Sequence, residues 1–190
     1  MKRLVIVLAI LLATVCASAQ NSLDGSWNYI KQDKQPINQE QASGSADMKV
    51  SAKYQFAAER FTTAFKVVVN MDFTAQTELG EKADAVFYIE VIASVAGSLS
   101  RDGSTLTLTP DAKKKPSIEV NTKIEGVPGG NLIKGMIVNP IKKELGAELK
   151  KEQKYKVVSL SETTLVLEDI LSEKELKSGQ KAQTMTLNRN

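Results

Sequence analysis

From Phe61 to Phe73 the odd positions read Phe61, Thr63, Phe65, Val67, Val69, Met71 and Phe73, while Thr62, Ala64, Lys66, Val68, Asn70 and Asp72 lie between them. Successive side chains on a strand point to opposite faces, so this alternation predicts a long β-strand with one apolar face. Met48, Val50, Ala52, Tyr54 and Phe56 alternate with Lys49, Ser51, Lys53 and Gln55 in the stretch before it. Ala85, Phe87, Ile89, Val91, Ala93 and Val95 repeat the pattern in the stretch after it. Three long strands joined by short polar turns predict an antiparallel meander. Shorter strands are expected over 25–31, 104–109, 117–122, 155–160, 164–168 and 182–189, about nine in all. Asp102-Gly103 supplies the positive φ of a tight hairpin, and Ser161-Glu162-Thr163 reads as a second turn. The stretch from Gln32 to Ser45 is polar and aperiodic and is expected to be a loop, with room for a helical turn.

One helix is predicted over roughly 140–152. Asn139-Pro140 reads as an N-cap followed by proline at the first helical position, where the missing N–H costs nothing. Ile141, Leu145 and Leu149 then recur every four residues. Ile133 and Ile137 are assigned to a shorter helix before it, beyond the Gly126-Val127-Pro128-Gly129-Gly130 loop. No internal repeat, low-complexity tract or linker divides the chain, so 20–190 reads as one domain. Strands with one apolar face must close on themselves or pair as a sandwich to hide their edges. The expected fold class is mainly β, a single antiparallel barrel of about 8–10 strands with one amphipathic helix. That helix lacks interfacial Trp or Phe, which favours plugging a barrel end over resting on a membrane.

The N-terminus changes what the composition means. Lys2 and Arg3 precede an apolar run from Leu4 to Val15 and then Cys16-Ala17-Ser18-Ala19-Gln20. A cationic start, a short apolar core and small residues at Ala17 and Ala19 describe a secretory signal over 1–19, cleaved before Gln20. The run is too short for a membrane span, which needs about 20 apolar residues. Acylation at Cys16, giving a lipid-anchored form, is the alternative, but Val15 stands where a small residue is usual. Cleavage at Ala19 removes the only cysteine of the 190-residue chain, so no disulfide is expected in the exported fold. It also removes two of the 25 basic residues, leaving 23 against 22 acidic and a net charge of +1 in place of +3. A near-neutral surface offers little attraction for nucleic acid or anionic membranes. Export to the periplasm or the extracellular space is expected, with no transmembrane span in the mature chain.

Within this frame Gly25-Ser26-Trp27 resembles the Gly-x-Trp opening of lipocalins. Asp102-Gly103-Ser104-Thr105-Leu106-Thr107-Leu108-Thr109-Pro110 and the late segments 155–160, 165–168 and 185–189 resemble strands of bacterial lipocalin-like domains. Such domains are numerous among secreted proteins of Bacteroides-type bacteria. The resemblance implies a calyx barrel that holds a small hydrophobic molecule, such as a fatty acid or other lipid. It also implies that Trp27, beside Gly25, closes one barrel end with Arg189 packed across it. Three features depart from the family: no Thr-Asp-Tyr motif follows a middle strand, no disulfide can form, and the helix precedes the last strands. The residues expected to line the interior are Tyr54, Phe56, Phe61, Phe65, Val67, Val69, Phe87, Ile89 and Val91. Nine of the ten aromatic residues lie between Trp27 and Tyr88, so the early strands supply the bulky wall.

Reactive chemistry is sparse. The chain has no histidine, which excludes Ser-His-Asp and Cys-His catalysis, histidine metal ligands and histidine pH switches. Glu90 lies in an otherwise uncharged run, but on the Tyr88/Glu90/Ile92 face, where a solvent-facing carboxylate is the expectation. Lys113-Lys114-Lys115 beside Pro116 reads as a solvated turn that blunts an edge strand. There is no Gly-rich phosphate loop and no Asp-x-Asp-x-Asp calcium loop, so neither cofactor nor metal is expected. The function expected is binding of a small apolar molecule without catalysis. The alternative is a non-catalytic structural or protein-interaction module of the cell envelope with a filled barrel. An integral outer-membrane barrel is set aside because no aromatic girdles are present and the chain ends in Arg189-Asn190.

Overall fold

The computed structural model describes residues 22–190 apart from 40–41, 77–81, 128–129 and 178. The segment 1–19 that is expected to be a secretory signal, including Cys16, lies outside the described residues. Nine strands follow in chain order: β1 (Gly25–Gln39), β2 (Ala42–Ala57), β3 (Arg60–Gln76), β4 (Lys82–Asp102), β5 (Thr105–Pro110), β6 (Ser117–Glu125), β7 (Gln153–Leu160), β8 (Thr164–Asp169) and β9 (Thr184–Arg189). Two helices interrupt them, α1 (Gly130–Glu148) between β6 and β7, and α2 (Glu173–Lys177) between β8 and β9.

All pairings are antiparallel, in the order β3-β2-β1-β9-β8-β7-β5-β4, and the β3–β4 pairing closes the ring into an eight-stranded barrel. Apart from β6, each barrel strand lies beside its neighbours in sequence. The seam is short: β1 meets β9 only at Trp27↔Arg189 and Asn28↔Asn188. The alternation from Phe61 to Phe73 lies within β3, whose 17 residues pair along β4 from Arg60↔Ser98 to Gln76↔Lys82.

Strand length shapes the molecule. At about 3.3 Å per residue, β1 to β4 run roughly 50–70 Å, whereas β5, β7, β8 and β9 run roughly 20–26 Å. The short strands therefore wall only the lower half. There β4 pairs with β5 through Gly97–Asp102, while its earlier part pairs on the same edge with β6 through Val86–Ser94. Above the barrel a five-stranded sheet, β1-β2-β3-β4-β6, continues upward. Its β1 edge from Tyr29 onward has no strand partner among the described residues.

Two expectations are corrected. Gln32 to Ser45 is not a loop: β1 extends to Gln39 and β2 begins at Ala42, with rungs such as Gln32↔Lys49 and Ser45↔Pro36. Neither face of this polar hairpin is forced into an apolar core, so no alternation marks it; backbone pairing sets its conformation. The helix does not begin at Asn139-Pro140. It runs unbroken from Gly130 to Glu148, absorbs the segment holding Ile133 and Ile137, and carries Pro140 inside it. A mid-helix proline leaves the carbonyl four residues earlier, that of Met136, without its helical donor. Met136 and Pro140 are both exposed, so water can meet that carbonyl.

Helix α1 does not plug the barrel. It packs on β6, where Gly146 lies over Ile118 and Gly130 over Ile124. Ile118 and Ile124 pair with Ala93 and Phe87, so the helix lies on the inner side of the upper sheet, along its β6 edge. No described helix is long and apolar enough to cross a membrane.

Candidate functional site

The inner face divides into a packed lower half and an open upper half. Trp27, Leu106, Leu108, Leu165, Leu167 and Leu187 have at most 1% of their surface exposed and fill the lower barrel. Phe56, Phe61, Leu99, Tyr54 and Tyr155 pack with them in one cluster. One position in particular allows that density. Gly97 faces inward opposite Phe61, and a Cβ there would come within 2.6 Å of the Phe61 ring and 2.1 Å of the Thr109 carbonyl oxygen. Gly103, at φ +55°, turns β4 into β5.

The lower end is sealed as a unit. The Trp27 indole N–H donates to the Leu23 carbonyl at 2.8 Å, tying the incoming chain beneath the ring. The Arg189 guanidinium lies 4.6 Å from the Trp27 ring centroid and donates from Nη2 to the carbonyls of Ser22 and Asp24. Gly25, at φ +133°, makes room: a Cβ there would stand 3.5 Å from Arg189 Nε. Beside this seal, an open depression of about 640 Å³ is lined by Leu23, Asp24, Ala58, Glu59, Ser100 and Arg101, among others. Asp24 Oδ1 accepts the backbone N–H of Ala58 at 2.9 Å and so pins the β2–β3 turn, where Ala58 takes φ +52°.

The nine interior residues expected from the sequence all lie on the inward register, but at different heights. Phe56 and Phe61 are packed into the lower core, and Tyr54 is buried just above them. Phe65, Val67, Val69, Phe87 and Ile89 are half-buried on the upper sheet, with Val91 buried. Val67↔Val91 and Val69↔Ile89 are direct cross-strand partners. The face continues through Met71 and Phe73, and the Phe73 and Phe87 rings stack at 5.5 Å and 24°. At the far side of this face, Thr122 Oγ1 on β6 is buried with no hydrogen-bond partner among the described residues.

Where the packed half meets the open one, the layer turns polar. On β8 the inward positions are Leu165, Leu167 and then Asp169, which pairs with Tyr155 of β7. The Tyr155 hydroxyl donates to Gln153 Oε1 at 3.0 Å. Among the described residues the Tyr54 hydroxyl meets only the Met185 sulfur at 4.0 Å, a weak acceptor. Burial first, then the nearby Asp169 carboxylate and Tyr29, push the Tyr54 phenol up to about 12. Burial, then Tyr54 and Asp169, push Tyr155 up as well. Asp169 is itself raised by burial, against the lowering effect of the Gln183 backbone N–H that donates to Oδ2 at 3.3 Å. Asp169 had no part in the sequence expectation, although its parity with Leu165 and Leu167 places it on the inner face.

Glu90 is on the outer wall. It forms an ion pair with Lys66 and accepts from Asn121 Nδ2 at 3.2 Å. The bonds from Lys66 and then Asn121 hold its carboxyl below the usual range. Lys113, Lys114 and Lys115 are exposed in the β5–β6 connection, where Asp111 Oδ1 accepts the Lys113 N–H. A shallow groove of about 300 Å³ on the same outer wall is lined by Ile30, Ser51, Lys53, Lys66 and Ile92, among others.

No protein-family model matches this chain, and no curated protein matches it. Among solved structures, the crystal structure of an uncharacterized protein from Bacteroides eggerthii is similar over 89% of this chain and 100% of that one. Its sequence identity is 13% and its TM-score 0.35.

Proposed function

We propose that the protein is an exported, lipocalin-like carrier of a small apolar or amphipathic molecule, held between the inner face of the upper sheet and α1. The observation that carries this reading is the half-buried apolar row of Phe65, Val67, Val69, Met71, Phe73 and Phe87, which continues the core beyond the barrel wall. Folding leaves apolar surface bare at a cost of about 25 cal/mol per Å² not buried, and a molecule seated on it recovers part of that. Apart from the Thr122 hydroxyl at mid-height, polar groups converge at one end of the row, the arrangement that orients a ligand in a mostly apolar site. The lower barrel, being full, serves as the scaffold. Displacement of the neutral fluorescent probe N-phenyl-1-naphthylamine, together with native mass spectrometry of the purified mature protein, tests the proposal. Saturable probe binding that weakens on Phe87→Ser is expected; no bound probe and no co-purifying lipid would sink it.

A second reading, an interaction module of the cell envelope, draws on the filled lower barrel and on α1. Leu132 and Met136 of α1 are 77% and 76% exposed, on the side of the helix away from its Ile133, Ile137 and Ile141 stripe. Capture of one specific envelope protein, lost on Leu132→Ser with Met136→Ser, is the result this reading requires.

A further inference from the structure

We infer that the molecule held on the inner face presents a hydrogen-bond-donating head, a hydroxyl or a protonated amine, to Asp169, and that a carboxylate head is disfavoured there. The inference rests on the proposed carrier function and names the chemistry of the ligand's polar end.

Asp169 sits at the upper limit of the short wall, one inward position beyond two fully buried leucines. It is the first charged group on that wall below the apolar face, whose own inward polar group at mid-height is the Thr122 hydroxyl. Its Oδ2 accepts a single backbone N–H, from Gln183, and Oδ1 has no hydrogen-bond partner among the described residues. Among the described residues the neighbouring hydroxyl of Tyr54 has only the Met185 sulfur as acceptor, and that of Tyr155 is engaged by Gln153. The site thus offers a half-buried acceptor oxygen, free among the described residues, to which a ligand donor can bond. The inward positions of β2, β3, β4 and β6 alongside the face carry no charged residue among those described. Lys31 of β1 is the nearest inward-register cation on these strands, one inward position beyond Tyr29, and it is exposed with Asp33 following it. A carboxylate brought to Asp169 would set two like charges together in a half-buried layer, whereas an alcohol or ammonium bonds its open oxygen.

The test uses three competitors of equal chain length, dodecanol, dodecylamine and dodecanoate, against bound N-phenyl-1-naphthylamine at neutral pH. The alcohol and the amine are expected to displace the probe at concentrations about tenfold below dodecanoate, the ratio one hydrogen bond to a charged group supports. Asp169→Asn should narrow the gap between amine and carboxylate to within about threefold. Dodecanoate competing as well as the amine overturns the inference, most directly if Lys31→Ala abolishes that competition. An unchanged preference in Asp169→Asn overturns it too. If the probe itself does not bind, the carrier function falls and the inference with it; if the probe binds without discrimination among heads, only the inference falls.

Discussion

The seal at the lower barrel end makes a quantitative prediction, because the residue that forms it and the residue that covers it are direct cross-strand partners. Arg189→Met keeps the aliphatic stem over the ring and removes the guanidinium. The loss comprises a cation–π contact worth about 0.5–2 kcal/mol and two charged-donor bonds. The accepting carbonyls belong to exposed Ser22 and Asp24, where water can replace the donor, so the sum should stay near 1.5–3 kcal/mol. Trp27→Leu opens a cavity at a fully buried site and strips the Leu23 carbonyl of its donor, at about 3–5 kcal/mol. A domain of ordinary stability, about 5–15 kcal/mol, survives each single change. Urea denaturation of both single variants and the double variant gives the coupling energy. Far-UV circular dichroism must report it, since Trp27 is the only tryptophan and its fluorescence is lost with it. A coupling of about 0.5–2 kcal/mol is expected. A coupling no larger than about 0.3 kcal/mol, the scatter of independent sites, would refute the claim that guanidinium and indole act together.

Gly97→Ala should destabilise by about 1–3 kcal/mol through overpacking against Phe61 and the β5 backbone, read as a lower urea midpoint; an unchanged midpoint would contradict the close approach. Asp169 has a raised folded pKa, so its stabilising share is complete below the ordinary carboxylate range and is lost as pH rises through the folded value. Asp169→Asn should therefore match the parent near pH 3 and gain stability over it by pH 7, roughly the span across which a raised carboxylate titrates; a difference that does not change with pH argues against a desolvated carboxylate. Glu90→Gln should leave probe binding near the parent value, because Glu90 faces the outer wall, and should lower the urea midpoint only slightly, because the Lys66 side of the pair is open to water. Gly135→Ala, at a helical position with open space around it, should slow amide exchange across α1 by about fivefold, as expected for a gain near 1 kcal/mol. Faster or unchanged exchange there would mean that local helix propensity does not limit α1.

The barrel strands were readable because each has one face that must be apolar, and a period of two survives even where Thr63 or Ala52 replaces a larger side chain. The upper halves of β1 and β2 were not readable: Asp33, Gln35 and Ser43 border no core, so nothing in their order distinguishes strand from loop. Asn139-Pro140 misled for a different reason. Asn-Pro before an apolar repeat is a sound helix start in isolation, and only the exposure of Met136 allows a proline ten residues into α1. The inward residues of β3 and β4 were legible in full, yet which of them sit in packed core depends on how far the short strands reach. Leu106, Leu108, Leu165, Leu167 and Leu187 decide that, and they stand 40 or more residues away from Phe65 and Phe61 in sequence. Asp169 was hidden because a carboxylate closing an apolar run looks like the strand's solvent end.

Strand length, then, separates the packed core from the face proposed to bind a ligand. Eight strands closing at equal height would have buried the whole apolar face and left a filled barrel with no reason to bind anything. Here the short wall stops at Gln153, Asp169 and Gln183, and the long strands carry an apolar surface past it. Covering that surface falls to β6, which extends the sheet, and to α1, which packs mainly on β6. The helix is poorly suited to hold its place by itself: Gly135 and Pro140 lower its intrinsic stability, no acidic residue lies in its first turn and no basic one in its last. Its cost of displacement is set by its contacts with Ile118 and Ile124 and not by the barrel, whose closure through β1 and β9 lies at the other end of the molecule. A cover that can shift while the core below stays packed is what a reversible carrier requires, because ligand entry then draws only on the weakest element of the fold.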